Sequence, residues 1–223
     1  MLSHKSSSMD EVTDSRRTAR QINESTVSGL SFNQIMGEIS GGAGERRVRL
    51  CNLPSGEETA RKVRSVFSTD AGRDVCQVHF GVSLSNTVEL ADSPRAFGEN
   101  YSNRITAAID EIHNDTLMPR DIVSTGVIYS LANSFQGVVA ENLLTEHCEL
   151  TASTDKEDRS DKVDAWDNNV SIQVKRWTQK KRANRYKADV LVSWNEKDGE
   201  YVFGAESEDC DNAAYITARD HWE

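Results

Sequence analysis

The chain has 223 residues, enough for one domain or for a catalytic domain with a small appendage. Its 37 % apolar content supports a core but leans polar, and no stretch approaches the roughly 18 consecutive apolar residues of a membrane span, so no transmembrane helix is expected. A net charge of −10 argues, taken alone, against a polyanionic partner, because phosphate contacts need Lys and Arg.

In chain order, the opening stretch MLSHKSSSMDEVTDSRR has no apolar segment of the signal-peptide kind. Residues 1–25 read as a polar, disordered lead-in. Residues 26–120 read as a mostly helical region. In SFNQIMGEIS, the residues Ile35, Met36 and Ile39 fall at helical spacing, and Gly41-Gly42 stops the helix. In SGEETARKVRSVF, Ser55 precedes Glu58 by three positions in a capping-box pattern, and Ala60, Val63 and Phe67 form the apolar stripe. With Arg46, Arg47, Arg49, Arg61, Lys62 and Arg64 nearby, the pair is either a DNA-reading helix-turn-helix or a plain helical hairpin with a solvated basic face.

Residues 74–92 alternate like strands. Ser93-Pro94 starts a helix that runs through RAFGENYSNRITAAIDEIHND. Pro119 restarts the chain, and DIVSTGVIYSLANSFQGVVAENLLTEHC reads as one or two helices with Val138, Val139, Leu143 and Leu144 on an apolar face. The last third changes character. CELTAST is strand-like, KVDAW–DNN–VSIQVKRW reads as strand, turn, strand, and ADVLVSW and EYVFGAES are two strands around the charged turn NEKDG. The end, DNAAYITARDHWE, reads as a short helix. The expected fold is α/β (α+β): a central mixed sheet of four to five strands flanked by helices, carried by residues 121–223. Cys51, Cys76, Cys148 and Cys210 lie far apart with no CxxC, which fits reduced thiols in a cytoplasmic protein rather than a zinc site.

Charge is unevenly distributed. Residues 175–187 (KRWTQKKRANRYK) carry +7 with no acid, which leaves −17 on the rest. Trp177 and Tyr186 interleave with these cations, so Arg176, Trp177, Lys180, Lys181, Arg182, Arg185 and Lys187 are candidates for contacting a nucleic-acid backbone. Immediately before them lies DAWDNNVSIQVK. Hydrolysis of a phosphodiester needs a divalent metal, oxygen ligands and a nearby positive charge. A strand hairpin supplies these when a carboxylate sits on the first strand and a ligand and a lysine, two residues apart, share one face of the second. Asp164, Gln173 and Lys175 meet that spacing, and Asp167-Asn168-Asn169 supplies the turn. Asp161 and Asp167 are alternatives to Asp164. A rival arrangement is Asp189 with Glu206-Ser207-Glu208, which lacks the lysine.

On Asp164, Gln173, Val174 and Lys175 the sequence resembles the PD-(D/E)xK nuclease superfamily in a Q-x-K variant. Gln173 stands where an acid is usual; its amide oxygen can still ligate a hard cation. GVVAENLL supplies Glu141 at the place of the helix glutamate often found in the superfamily, and ADVLVSW resembles the core strand after the lysine. The resemblance covers about residues 134–205. It implies a restriction-endonuclease-like core with Mg2+, or Mn2+ as substitute, held by Glu141, Asp164 and Gln173, and with Lys175 steadying the attacking water or the transition state. It further implies double-stranded DNA as substrate and 5′-phosphate products. A homodimer is expected if the target is palindromic, and a cognate methyltransferase would be the genetic partner of a restriction enzyme. A Holliday-junction resolvase, a homing-type nuclease, or a non-catalytic DNA-binding protein on a degenerate nuclease fold are the alternatives.

Overall fold

A computed structural model describes residues 9–43, 61, 65–66, 93–154, 157, 163–177 and 188–207. The strand-like 74–92, the C-terminal helix and most of the second basic helix lie outside these residues. The chain forms two compact units, one of residues 1–29 with 139–223 and one of 30–138. This division differs from the expected boundaries at 25 and 120.

The first unit is built on a six-stranded sheet. Its elements are helix α1 (Met9–Asn23) and strands β1 (Thr26–Ser28), β2 (Thr151–Ala152), β3 (Ala165–Asp167), β4 (Val170–Arg176), β5 (Val190–Lys197) and β6 (Glu200–Ser207). The order is β1-β6-β5-β4-β3-β2, with β4 and β5 parallel and every other pair antiparallel. The mixed α/β class is as expected. The sheet is wider than the expected four to five strands by the edge strand β1, which at three residues is too short to show an alternating pattern; β2 falls within the strand-like CELTAST.

The expectation of a disordered lead-in over residues 1–25 is overturned for residues 9–23. These are helical, and Ala19 and Ile22 are fully buried against the sheet. Asn23 adds a substitute ladder pairing to the free edge of β6: its Nδ2 donates to Ala205 O at 3.3 Å, and Ala205 N donates to its Oδ1 at 2.5 Å. The low apolar content of α1 conceals an element that buries only a narrow stripe.

Strand pairing places Ile172 beside Val190 and Val174 beside Val192, and places Val192 beside Ala205 and Trp194 beside Phe203; Val170 lies on the same face of β4. With Ala19, Ile22, Ala140, Leu144 and Cys148 they form one buried apolar cluster. Fully burying each large aliphatic side chain contributes about 1.5–3 kcal/mol. The other face is shielded as well, since Ser171, Gln173 and Ser193 are buried. Strand β4 is thus covered on both sides.

Two tight turns fix the register. Asp198 and Gly199 both have positive φ, at 55° and 89°, between the paired Lys197 and Glu200. That is the Asp-Gly hairpin geometry matching strand twist. Asn168, at φ 52°, plays the corresponding part between Asp167 and Val170.

The second unit contains α2 (Phe32–Gly42), α3 (Pro94–Thr116) and the first part of α4 (Arg120–His147). Ser31 and Gln34 form a capping box at the start of α2, and Ser93 caps α3 with Pro94 in its first turn. Residues 120–147 make one helix. By length and composition α4 is apolar enough to cross a membrane, which a count of consecutive apolar residues does not detect, and half of its most apolar window is buried inside the structure. Gly42 does more than stop α2. A Cβ there would lie 2.5 Å from Arg95 O, and one on Gly98 would lie 2.5 Å from Ile39 O, so both glycines permit a close approach of α2 and α3.

Candidate functional site

The hairpin β3–β4 brings three of the expected residues together. Asp164 is not within the first strand but stands one residue before it. Its N–H donates to Ile172 O at 2.8 Å, although Ile172 is the register partner of Ala165. Two residues therefore face one, the arrangement of a β-bulge, which re-aims a side chain at a strand end. The Asp164 carboxylate turns onto β4. Its Oδ2 accepts from Val174 N at 2.6 Å and from Lys175 Nζ at 3.2 Å. The side chains of Asp164 and Lys175 are 5 % and 23 % exposed. An ion pair so largely withdrawn from water is far more sensitive to loss of one partner than a surface pair, with roughly 3–5 kcal/mol, the cost for fully buried pairs, as its upper bound.

Gln173 lies between these anchor points. Its residue is 0 % exposed, and neither Oε1 nor Nε2 has a hydrogen-bond partner among the described residues. Leaving a polar group buried without a partner costs about 1–3 kcal/mol. Such a group in a native fold calls for an explanation, and a bound ion or ligand is one. Strand alternation puts Ser171 and Lys175 on the same face as Gln173. Register adds Ser193 beside Lys175 and Trp166 beside Ser171. Trp166 Nε1 is likewise buried without a partner among the described residues.

The remaining candidates make other contacts. Glu141 sits half-buried on α4, and its backbone carbonyl accepts from Thr145 Oγ1 at 2.7 Å. No three His, Cys, Asp or Glu side chains form a metal-binding group among the described residues. Asp167 is committed to structure: Oδ2 accepts from Thr18 Oγ1 and Oδ1 from Asn168 Nδ2. Asp161 and Glu208 lie outside the described residues, as do the side chains of Glu206 and Ser207. Asp189 ties the start of β5 to β4, its Oδ2 accepting from Ser171 N at 2.8 Å and Ser171 Oγ at 2.6 Å. The Arg176 guanidinium lies over the Trp194 ring, 5.4 Å from its centroid, and Trp177 is half-buried just beyond β4. Lys180, Lys181, Arg182, Arg185 and Lys187 lie outside the described residues.

Trp166 is the residue of this site that the sequence pattern does not single out. Its only signal is its position two residues after Asp164 and, through the two-residue turn, opposite Ser171.

Comparison with protein-family models, with curated proteins and with solved structures finds no match. The chemistry of the site therefore rests on its own geometry. The donor set suits a hard divalent cation, which favours one or two carboxylates and amide or water oxygens. Asp164 offers a carboxylate, and the orphaned Gln173 Oε1 is an oxygen with nothing else to bind among the described residues.

Proposed function

We propose that the chain is an Mg2+-dependent DNA endonuclease of PD-(D/E)xK type, most simply a restriction enzyme, with Asp164, Gln173 and Lys175 as its centre. The observation that carries this reading is the juxtaposition on one hairpin of a largely buried carboxylate–ammonium pair and a fully buried carboxamide lacking a partner among the described residues. The strand after the lysine, β5, lies parallel to β4, which fits the core implied by the resemblance. Glu141 belongs to the proposal as the helix-borne acid.

Asp164 and Gln173 would hold the ion. When bound, it supplies Lewis-acid polarisation of a phosphoryl oxygen and a lowered water pKa. The protein's own contribution is positional. The bulge and the Val174 N–H fix the Asp164 carboxylate, and that carboxylate fixes the Lys175 ammonium. The ammonium then sits, without reorganising, where negative charge develops on a phosphate under attack. The basic run that begins at Lys175 would carry the DNA backbone, and a palindromic target would call for a homodimer.

The test is cleavage of supercoiled plasmid with Mg2+ or Mn2+. Wild-type protein should cut, chelation should abolish cutting, and Lys175→Ala should lower the rate by about a hundredfold or more. Undiminished cutting by that variant sinks the assignment. Discrete bands mark a sequence reader, and cleavage of branched DNA alone marks a junction resolvase. A second reading, a DNA-binding protein that does not cut, draws on Gln173 standing in place of an acid while Asp164 is already paired with Lys175. Binding without cleavage under any metal would select it.

A further inference from the structure

Strand β2 is an element that hydrophobic burial does not account for. It has two residues, Thr151 and Ala152, and both are exposed. It pairs with β3, Thr151 with Trp166 and Ala152 with Ala165, so the next residue of the ladder, Ser153, comes opposite Asp164. There the backbone and the side chain of Ser153 converge on one atom. Ser153 N donates to Asp164 O at 3.2 Å, and Ser153 Oγ donates to the same oxygen at 3.1 Å. The residue after it is also held: Thr154 N and Oγ1 each donate to Glu157 Oε2 at 2.8 Å.

The position gripped in this way is the irregular one. In a regular antiparallel ladder the N–H and C=O of a residue face the same neighbouring strand. Asp164 divides them, its N–H going to Ile172 O on β4 and its C=O to Ser153 at the end of β2. The two peptide groups that flank its Cα are thereby fixed from opposite sides. With φ and ψ set, the direction of Cβ is set, and the carboxylate is aimed at Val174 N and Lys175 Nζ. With a weaker grip on the carbonyl, the peptide between Asp164 and Ala165 can turn and carry the carboxylate off β4.

We infer that Ser153 is a positioning residue, whose hydroxyl holds the Asp164 backbone so that the carboxylate meets the ion and the lysine; the chemical consequence rests on the nuclease reading. Its two bonds go to the Asp164 carbonyl, so its effect on the reaction runs through Asp164.

Ser153→Ala removes the hydroxyl and keeps the N–H, whereas Ser153→Thr keeps both. The direct readout is hydrogen exchange of the Val174 amide, the group that donates to Asp164 Oδ2, with the Val192 amide on β5 as the control for overall stability. In Ser153→Ala, Val174 should exchange about three- to tenfold faster, the scale of one neutral hydrogen bond. Val192 should be unchanged, and Ser153→Thr should match wild type. In plasmid cleavage with Mg2+, kcat of Ser153→Ala should fall by a similar factor at unchanged KM for DNA, and threonine should restore it. Unchanged Val174 exchange, equal acceleration of Val174 and Val192, or Ser153→Thr behaving as the alanine variant overturns the inference. Full kcat in Ser153→Ala alongside a loosened Val174 overturns it too. If Val174 loosens selectively but wild-type protein cuts no DNA with any metal, the positioning of Asp164 by Ser153 stands and the nuclease reading falls.

Discussion

Ser171 and Asp189 exchange three hydrogen bonds: both Ser171 donors reach Asp189 Oδ2, and Asp189 N returns to Ser171 Oγ at 2.9 Å. This bonding lets the two proposed acidic sites be told apart. If Asp189 anchors β5 to β4 and does no chemistry, Asp189→Ala should cost about 1–3 kcal/mol in urea unfolding and leave metal-dependent cleavage within a few-fold of wild type at low temperature. A stable but inactive Asp189→Ala protein would move the centre to the rival hairpin. Cys148 offers a pH test at the same scale. Burial raises its thiol pKa and nearby Asp167 adds to the rise, while the hydrogen bond with Ser25 opposes both. The folded state thus keeps this proton to higher pH than the unfolded chain does. Its contribution to stability is complete below the unfolded thiol's pKa and is lost as pH rises through the folded one. Unfolding free energy should therefore decline on the alkaline side, and Cys148→Ala should flatten that part of the profile. An unchanged profile would mean that the thiol titrates as it does in the unfolded chain.

Elements differ in how plainly the sequence announces them. The β3–β4 hairpin is legible because Asp-Asn-Asn chemistry and a period-2 apolar pattern agree on it. The α3 start is legible because Ser93 as cap and Pro94 in the first turn precede a run with helical apolar spacing. Helix α1 is not, since its buried stripe rests on small or isolated residues such as Ala19 and Ile22 amid charge. The bulge at Asp164 is also invisible, because no residue type there demands one. Nor can the burial of Gln173 and Trp166 Nε1 be read locally, since polar residues alternating along β4 predict a solvated face. Gly42 looks in sequence like a helix terminator, whereas its larger role is close packing. The glycines give a paired prediction. Gly98→Ala forces a Cβ to within 2.5 Å of Ile39 O and should cost about 1–3 kcal/mol, whereas Gly137→Ala, with open space around the new methyl, should be neutral or stabilise by up to about 1 kcal/mol. Equal melting temperatures for the two variants would contradict the close approach of α2 and α3.

For the whole molecule, charge distribution decides more than net charge. In this −10 chain the +7 segment is the densest run of cations for a DNA backbone, while the remaining −17 repels the duplex overall. Affinity should then fall steeply with salt. If all seven cations meet phosphates, the slope of log K against log salt approaches about −6. Neutralising Lys180, Lys181 and Arg182 together should flatten that slope by roughly three units. A slope near zero would remove DNA backbone binding from consideration. The sheet itself bears on how the protein is made. Strand β1 pairs with β6, joining Thr26 to Val202, while residues 30–138 form a compact unit of their own between them. Contacts of such long sequence separation form slowly. During synthesis the helical unit can collapse as soon as it emerges, whereas α1 and β1 must wait for the last strand before their edge is closed. The newborn chain thus carries β1 unpaired until β6 has been made, and only then does this edge of the sheet close.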